Sequence, residues 1–175
     1  MEDWSFLFEI GIPSTFLFAL FALIGFACLL VLFIEKDLKK SRRHISFIFL
    51  LGYVVFVYSS TVYFRPETPS DNIFWIPCSS YYVAFCGQYH LLLENALNVL
   101  LFIPIGILYC LSHEDKKPIG AILFSCVMSV SIEIIQYVGR KGVCEIDDVL
   151  HNTIGGILGY WLCNAFFNKR LLNNI

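Results

Sequence analysis

Between Glu133 and Gly159 the chain carries Glu133, Gln136, Arg140, Asp147, Asp148, His151 and Asn152 in or between stretches that otherwise read as lipid-soluble helix. An unpaired polar group costs several kcal/mol in hydrocarbon, so a membrane segment keeps such groups only where they pair or act. The residue types suggest two kinds of chemistry. Carboxylates such as Glu133 and Asp148 serve as general acid or base when partial burial raises their affinity for a proton. Guanidinium groups such as Arg65 and Arg140 hold phosphate or carboxylate through forked hydrogen bonds.

Spacing gathers these residues. Glu133, Gln136 and Arg140 follow one another by steps of three and four and share one helical face if the helix continues to Arg140. Asp148, Asn152, Gly155 and Gly159 follow by four, three and four. They form one stripe, polar at its start and bare below, where another helix can approach closely. Asp147 and Asp148 open their helix, where the macrodipole favours negative charge.

Composition defines the elements that position them. Of 175 residues, 58% are hydrophobic, 17% aromatic and 15% charged, and the mean hydropathy is +0.71. A soluble domain needs about a quarter charged residues, so this is an integral membrane protein, read as one domain over 1–175. Its expected fold is an all-α, polytopic bundle of five spans, about 11–34, 45–64, 91–111, 119–138 and 149–167, with an outer loop at 65–90. No stretch alternates strictly over about ten residues, which argues against a β-barrel. The leading acidic residues Glu2, Asp3 and Glu9, and the length of the first apolar run, argue against a cleaved signal peptide.

Lys and Arg set the orientation. Lys36, Lys39, Lys40, Arg42, Arg43, Lys116, Lys117, Lys169 and Arg170 fall on one side and only Arg65, Arg140 and Lys141 on the other. The positive-inside rule then puts the N-terminus outside and the C-terminus inside. In that topology Arg65, Glu94, Asn95, Asn98, Glu133, Gln136, Arg140, Asp147, Asp148, His151 and Asn152 all lie toward the outer third of the membrane. The outer loop is aromatic in its second half (Phe74, Trp75, Tyr81, Tyr82, Phe85), as an interfacial segment would be. Pro104 removes a backbone donor from the third span and leaves the Leu100 carbonyl without its helical partner, so a kink is expected.

The seven cysteines lack zinc-type spacing. Cys28, Cys110, Cys126 and Cys163 read as packing residues, and a Cys78–Cys86 disulfide is left open. No metal motif is present, although Glu133, Asp147 and Asp148 together are carboxylates of the kind that suit magnesium or calcium. Ser131 and Cys144 have no nucleophile-elbow or dyad context. The net charge of −2 with no basic patch gives no sign of nucleic-acid binding, and five spans without an inverted repeat give little basis for a transporter.

The ordered combination Tyr63-Phe64-Arg65-Pro66, Asn98 through Gly106, Glu133-Ile134-Ile135-Gln136 with Arg140, and Glu145 through Gly156 resembles the VanZ-like family of bacterial membrane proteins. The match covers roughly the last two-thirds of the chain. The resemblance places the family's polar positions on Arg65, Asn98, Glu133, Gln136, Arg140, Asp147, Asp148 and Asn152, and leaves His151 outside them. It implies the bacterial cytoplasmic membrane, a cell-envelope role and lowered susceptibility to lipoglycopeptides such as teicoplanin. It implies no reaction.

Three functions remain on the residues alone. The first binds or modulates an extracytoplasmic amphiphile, such as a lipid-linked cell-wall precursor or a lipoglycopeptide. Here Arg65, Arg140, Asn98, Gln136, Asp147 and Asn152 contact the head group. The second is an intramembrane enzyme acting on a lipid-linked envelope substrate, with Glu133 and Asp148 as acid and base. The third is a structural subunit of an envelope complex, joined through the Gly155–Gly159 stripe.

Overall fold

The computed structural model describes residues 12–68, 73–113 and 117–172, with side chains up to residue 166. Glu2, Asp3, Glu9, Lys116 and the side chains of Lys169 and Arg170 lie outside the described residues. Six α-helices follow in order: α1 (Ser14–Ile34), α2 (Leu38–Tyr58), α3 (Ser79–Phe85), α4 (His90–Ser112), α5 (Ile119–Val138) and α6 (Ile146–Leu172). A π-helical turn, Ser59–Tyr63, continues α2. Two short strands, β1 (Ile73–Phe74) and β2 (Cys144–Glu145), pair in parallel with Ile73 opposite Cys144.

Among the described residues, four helices are long and apolar enough to cross a membrane: α1, α2 with its π turn, α4 and α5. The fold is an all-α polytopic bundle. At 27 residues α6 is also long enough, about 40 Å at 1.5 Å per residue, but its polar opening turns keep it out of that group by composition. The second helix starts seven residues before the apolar stretch that marks it in sequence. Asp37 caps it, accepting from the backbone N–H of Lys39 (2.8 Å) and Lys40 (3.3 Å). Those bonds hold the Asp37 carboxyl below its ordinary range. Hydropathy follows the lipid-facing part of a helix, whereas the cap sets where the helix begins.

Exposed apolar side chains cover α1: Phe18, Phe21, Leu23, Phe26, Leu29 and Phe33 all face outward, and Ile24 alone is buried. That is the surface expected of a helix in lipid. The core lies between α2, α4 and α5, built from Leu50, Val57, Phe102, Ile105, Met128 and Ile132. α4 runs unbroken through Pro104, and the Tyr53 hydroxyl donates to the Leu101 carbonyl beside the gap in the ladder (3.0 Å).

The closest helix contact joins α4 to α6. A Cβ on Gly155 would lie 2.2 Å from the Val99 carbonyl oxygen. One on Gly159 would lie 2.0 Å from that of Ile103, and one on Gly106 would lie 2.0 Å from that of Gly156. The glycine stripe of α6 is therefore engaged inside the chain, against α4.

Two devices fix the polar end of the bundle. The π turn leaves carbonyls of the α2 terminus without helical donors, and α5 with its following turn supplies them. Gln136 Nε2 donates to the Thr61 carbonyl (2.8 Å), and Lys141 Nζ donates to those of Val62 (2.7 Å) and Tyr63 (2.9 Å). The second device is Asp147, 1% exposed. Its carboxylate accepts from the Cys78 N–H (2.5 Å), the Ser80 N–H (2.9 Å) and the Ser80 hydroxyl (2.7 Å), which binds the start of α3 to the start of α6. Cys78 and Cys86 flank opposite ends of α3 and are free thiols. The seven residues of α3 lie between them, and eight helical steps separate them by roughly 12 Å, beyond disulfide reach.

Two outcomes are expected. Gly155→Leu should force α4 and α6 apart at a cost of about 1–3 kcal/mol or more and lower the membrane protein level. Gly25→Leu, with nothing within 4 Å of its Cβ position, should keep the level normal. Asp147→Asn puts an amide donor against donors. It should cost roughly 1–3 kcal/mol, seen as a lower unfolding midpoint and faster proteolysis between residues 73 and 90. Unchanged proteolysis would show that the Asp147 contacts do not hold α3.

Candidate functional site

The two devices above surround a cavity of about 290 Å³ at the end of the bundle where α4 and α6 begin and α5 ends. Its charged lining is Arg65, Glu94, Glu145 and Asp148, and its uncharged polar lining includes Thr68, Asn95 and Gln136. Each comes from a different local cause. Arg65 follows the π turn and lies over Gly142, where an added Cβ would sit 3.2 Å from its Nη2. Glu94 and Asn95 face inward from the first turns of α4. Glu145 ends the β1–β2 pair, and Asp148 sits in the first turn of α6.

The carboxylates are anchored from behind. Asn98, one helical turn after Glu94, donates through Nδ2 to Asp148 Oδ1 (2.8 Å). Glu133, 3% exposed, accepts from the Glu145 N–H through Oε2 (3.0 Å), so its carboxyl group stands directly behind the cavity wall. Burial, followed by the Glu94 and Asp147 charges, pushes the Glu145 carboxyl above its ordinary range, against a smaller lowering by Arg65. Arg65 makes no ion pair or hydrogen bond among the described residues. Acidic and basic groups thus line one cavity without closing on one another.

The other polar residues distribute as follows. Gln136 lines the cavity and is 3% exposed. Asn152 lies one turn below Asp148, outside the lining, and donates to the Ser129 hydroxyl (2.8 Å) while its Oδ1 is buried without a partner. His151 turns to the aromatic segment, its Nε2 2.7 Å from the Tyr81 hydroxyl. Asp147 faces α3, so its oxygens are not shared with Glu133 and Asp148. Among the described residues no group of three His, Cys, Asp or Glu side chains is disposed to hold a metal ion.

Arg140 stands apart. α5 stops at Val138, and Arg140 adopts a left-handed backbone (φ 51°) in the turn that closes the helix, so it leaves the face of Glu133 and Gln136. Its carbonyl accepts from the Thr68 N–H (3.0 Å), its side chain is exposed, and it is not among the cavity residues. A non-glycine residue in this conformation costs about 1–2 kcal/mol. That backbone bond and the Lys141 N–H to Gln136 carbonyl bond (2.8 Å) hold it. Gly139, the preceding residue, is the signal in sequence that the helix ends before Arg140.

Among the polar lining residues, Thr68, Glu94, Asn95 and Glu145 fall outside the site residues expected from sequence, although Glu94 and Asn95 are expected at the same depth. Glu94 precedes Asn98 by four residues and so shares its face, which is a readable signal. Glu145 is placed by the pairing of two-residue strands, which leaves no periodic trace.

The family profile described as VanZ/LLP1 matches residues 16–168. A similar curated protein, "Protein VanZ" of Enterococcus faecium, is 36% identical over 81 residues, covering 45% of this chain and 50% of that protein. The chain thus matches about half the length of that relative. No solved structure matches. With the match running through all the helices that build the cavity, the chain belongs to the VanZ/LLP1 family.

Proposed function

We propose that this protein binds the head group of an amphiphilic envelope ligand in the cavity between α4, α5 and α6, and thereby lowers susceptibility to lipoglycopeptides such as teicoplanin. The observation that carries this reading is the unpaired charge. Arg65 and three carboxyl groups line one polar cavity with no hydrogen bond between them among the described residues, although Asp147 and Lys141 nearby show how fully this fold engages charged groups when it uses them for cohesion.

In this reading α6 is the fifth span, the N-terminus is outside, and the bacterial cytoplasmic membrane holds the protein with its cavity facing outward. The support is the separation of charge. Lys36, Lys39, Lys40, Arg42 and Arg43 cluster at the α1–α2 junction, at the end opposite the cavity. Membrane lipids or a lipid-linked cell-wall precursor would reach the cavity from the outer leaflet. Exposed Phe74, Trp75, Tyr82 and Phe85 offer apolar surface for their tails. The acid–base alternative, with Glu133 and Asp148 acting on a lipid-linked substrate, draws on the same cavity and predicts loss of turnover with binding retained.

Asp148→Asn keeps size and one acceptor for Asn98. It should leave the membrane protein level normal and abolish the change in teicoplanin susceptibility in a host where the wild type confers one. Normal level with full phenotype removes Asp148 from the site. A level as low as that of Gly155→Leu makes it cohesive instead. The topology has its own check. With the exposed Cys78 and Cys86 changed to Ser, a cysteine at Lys40 should react with a membrane-impermeant maleimide only after permeabilisation. Labelling of intact cells would invert the orientation and turn the cavity to the cytoplasm.

A further inference from the structure

The hydrogen-bonding capacity left in the cavity is one-sided. Gln136 and Asn95 are 3% and 5% exposed, and both line it. Gln136 Nε2 is engaged by the Thr61 carbonyl, which can only accept, so the orientation of the amide is fixed. Asn95 Nδ2 is engaged by the Ser80 hydroxyl (3.0 Å), whose own proton goes to Asp147. In both amides the bonded donor faces the protein, and the carbonyl oxygen has no partner among the described residues. These two acceptors join the carboxylates of Glu94, Glu145 and Asp148. Against them stands one charged donor group, the Arg65 guanidinium.

Resting on the binding reading above, we propose that the ligand head group carries a primary ammonium. Its N–H donors sit among Asp148, Glu145, Glu94 and the free carbonyls of Gln136 and Asn95, and an anionic group of the same head faces Arg65. A dianionic or purely phosphate head would meet three carboxylates for one guanidinium, and like charge in a partly buried site opposes binding. A quaternary ammonium would bring charge but no N–H for the amide oxygens of Gln136 and Asn95 that line the cavity. The volume, about 290 Å³, equals roughly ten water molecules at ~30 Å³ each, enough for a small zwitterionic head. The ammonium can belong to a lipid head group or to a soluble amine-bearing compound, and the experiment separates the two.

The full chain is placed in phosphatidylglycerol nanodiscs and titrated with O-phosphoethanolamine, with inorganic phosphate and with methylamine. In parallel, unfolding midpoints are compared in nanodiscs supplemented with phosphatidylethanolamine or with phosphatidylcholine. O-phosphoethanolamine binding more tightly than phosphate identifies a soluble head as sufficient. A midpoint raised by phosphatidylethanolamine but not by phosphatidylcholine identifies the lipid as the source. Either supports the inference, provided that Glu145→Gln, with Glu94→Gln as a second variant, weakens the effect about tenfold or more. Phosphate binding as tightly as the amine, with Glu145→Gln tightening it, would overturn the inference and make the cavity an anion site. Binding by none of the amine probes also overturns it. The binding reading fails on a separate readout, when Asp148→Asn at normal level retains full phenotype.

Discussion

Backbone meets backbone where α4 and α6 cross at Gly106, Gly155 and Gly159, and no side chain separates them there. In lipid, helices gain little from burying apolar surface against each other, so close van der Waals contact between small residues is the main source of cohesion. The consequence reaches beyond packing. Because α6 lies so near α4, Asn98 can bond directly to Asp148, and the first turn of α6 is held against the first turns of α4. The cavity is the space left where these helices meet the end of α5 beneath the segment that carries β1 and α3.

The polar end then follows from a requirement to satisfy backbone and side-chain groups in a medium without water. The π turn after α2 exposes carbonyls, and Gln136 and Lys141 take them. α3 begins with uncapped N–H groups, and Asp147 takes those. Each of these bonds consumes a donor or acceptor that faces the protein. What remains is a surface of acceptors around the cavity with one guanidinium among them. The adjacent carboxylates Asp147 and Asp148 therefore have separate tasks: one clamps the start of α3, and the other faces the cavity.

Much of the helical architecture is readable from apolar run lengths, because a lipid-facing helix such as α1 must be apolar almost all round. The limits of the reading have physical causes. α2 begins at an aspartate cap among lysines, where hydropathy gives no signal. α6, read in sequence as a fifth span over 149–167, is not among the four helices apolar enough to cross a membrane among the described residues. At the site, helical phase places Gln136 and Asp148 toward one cavity and separates Asp148 from Asp147. Phase fails at Arg140, where a left-handed turn ends the helix, and it says nothing of Glu145, which reaches the cavity through a two-residue strand pair. The glycine stripe reads correctly as a contact surface, but only the fold shows that its partner is α4.

The central claim is that the charges around the cavity stay unpaired because they face a ligand, and native mass spectrometry of the chain released from bacterial membranes tests it most directly. The wild type should emerge with one amphiphile bound, and Asp148→Asn, at equal yield, should emerge without it. A wild-type chain that emerges bare, or an Asp148→Asn chain carrying the same molecule to the same extent, would contradict the account.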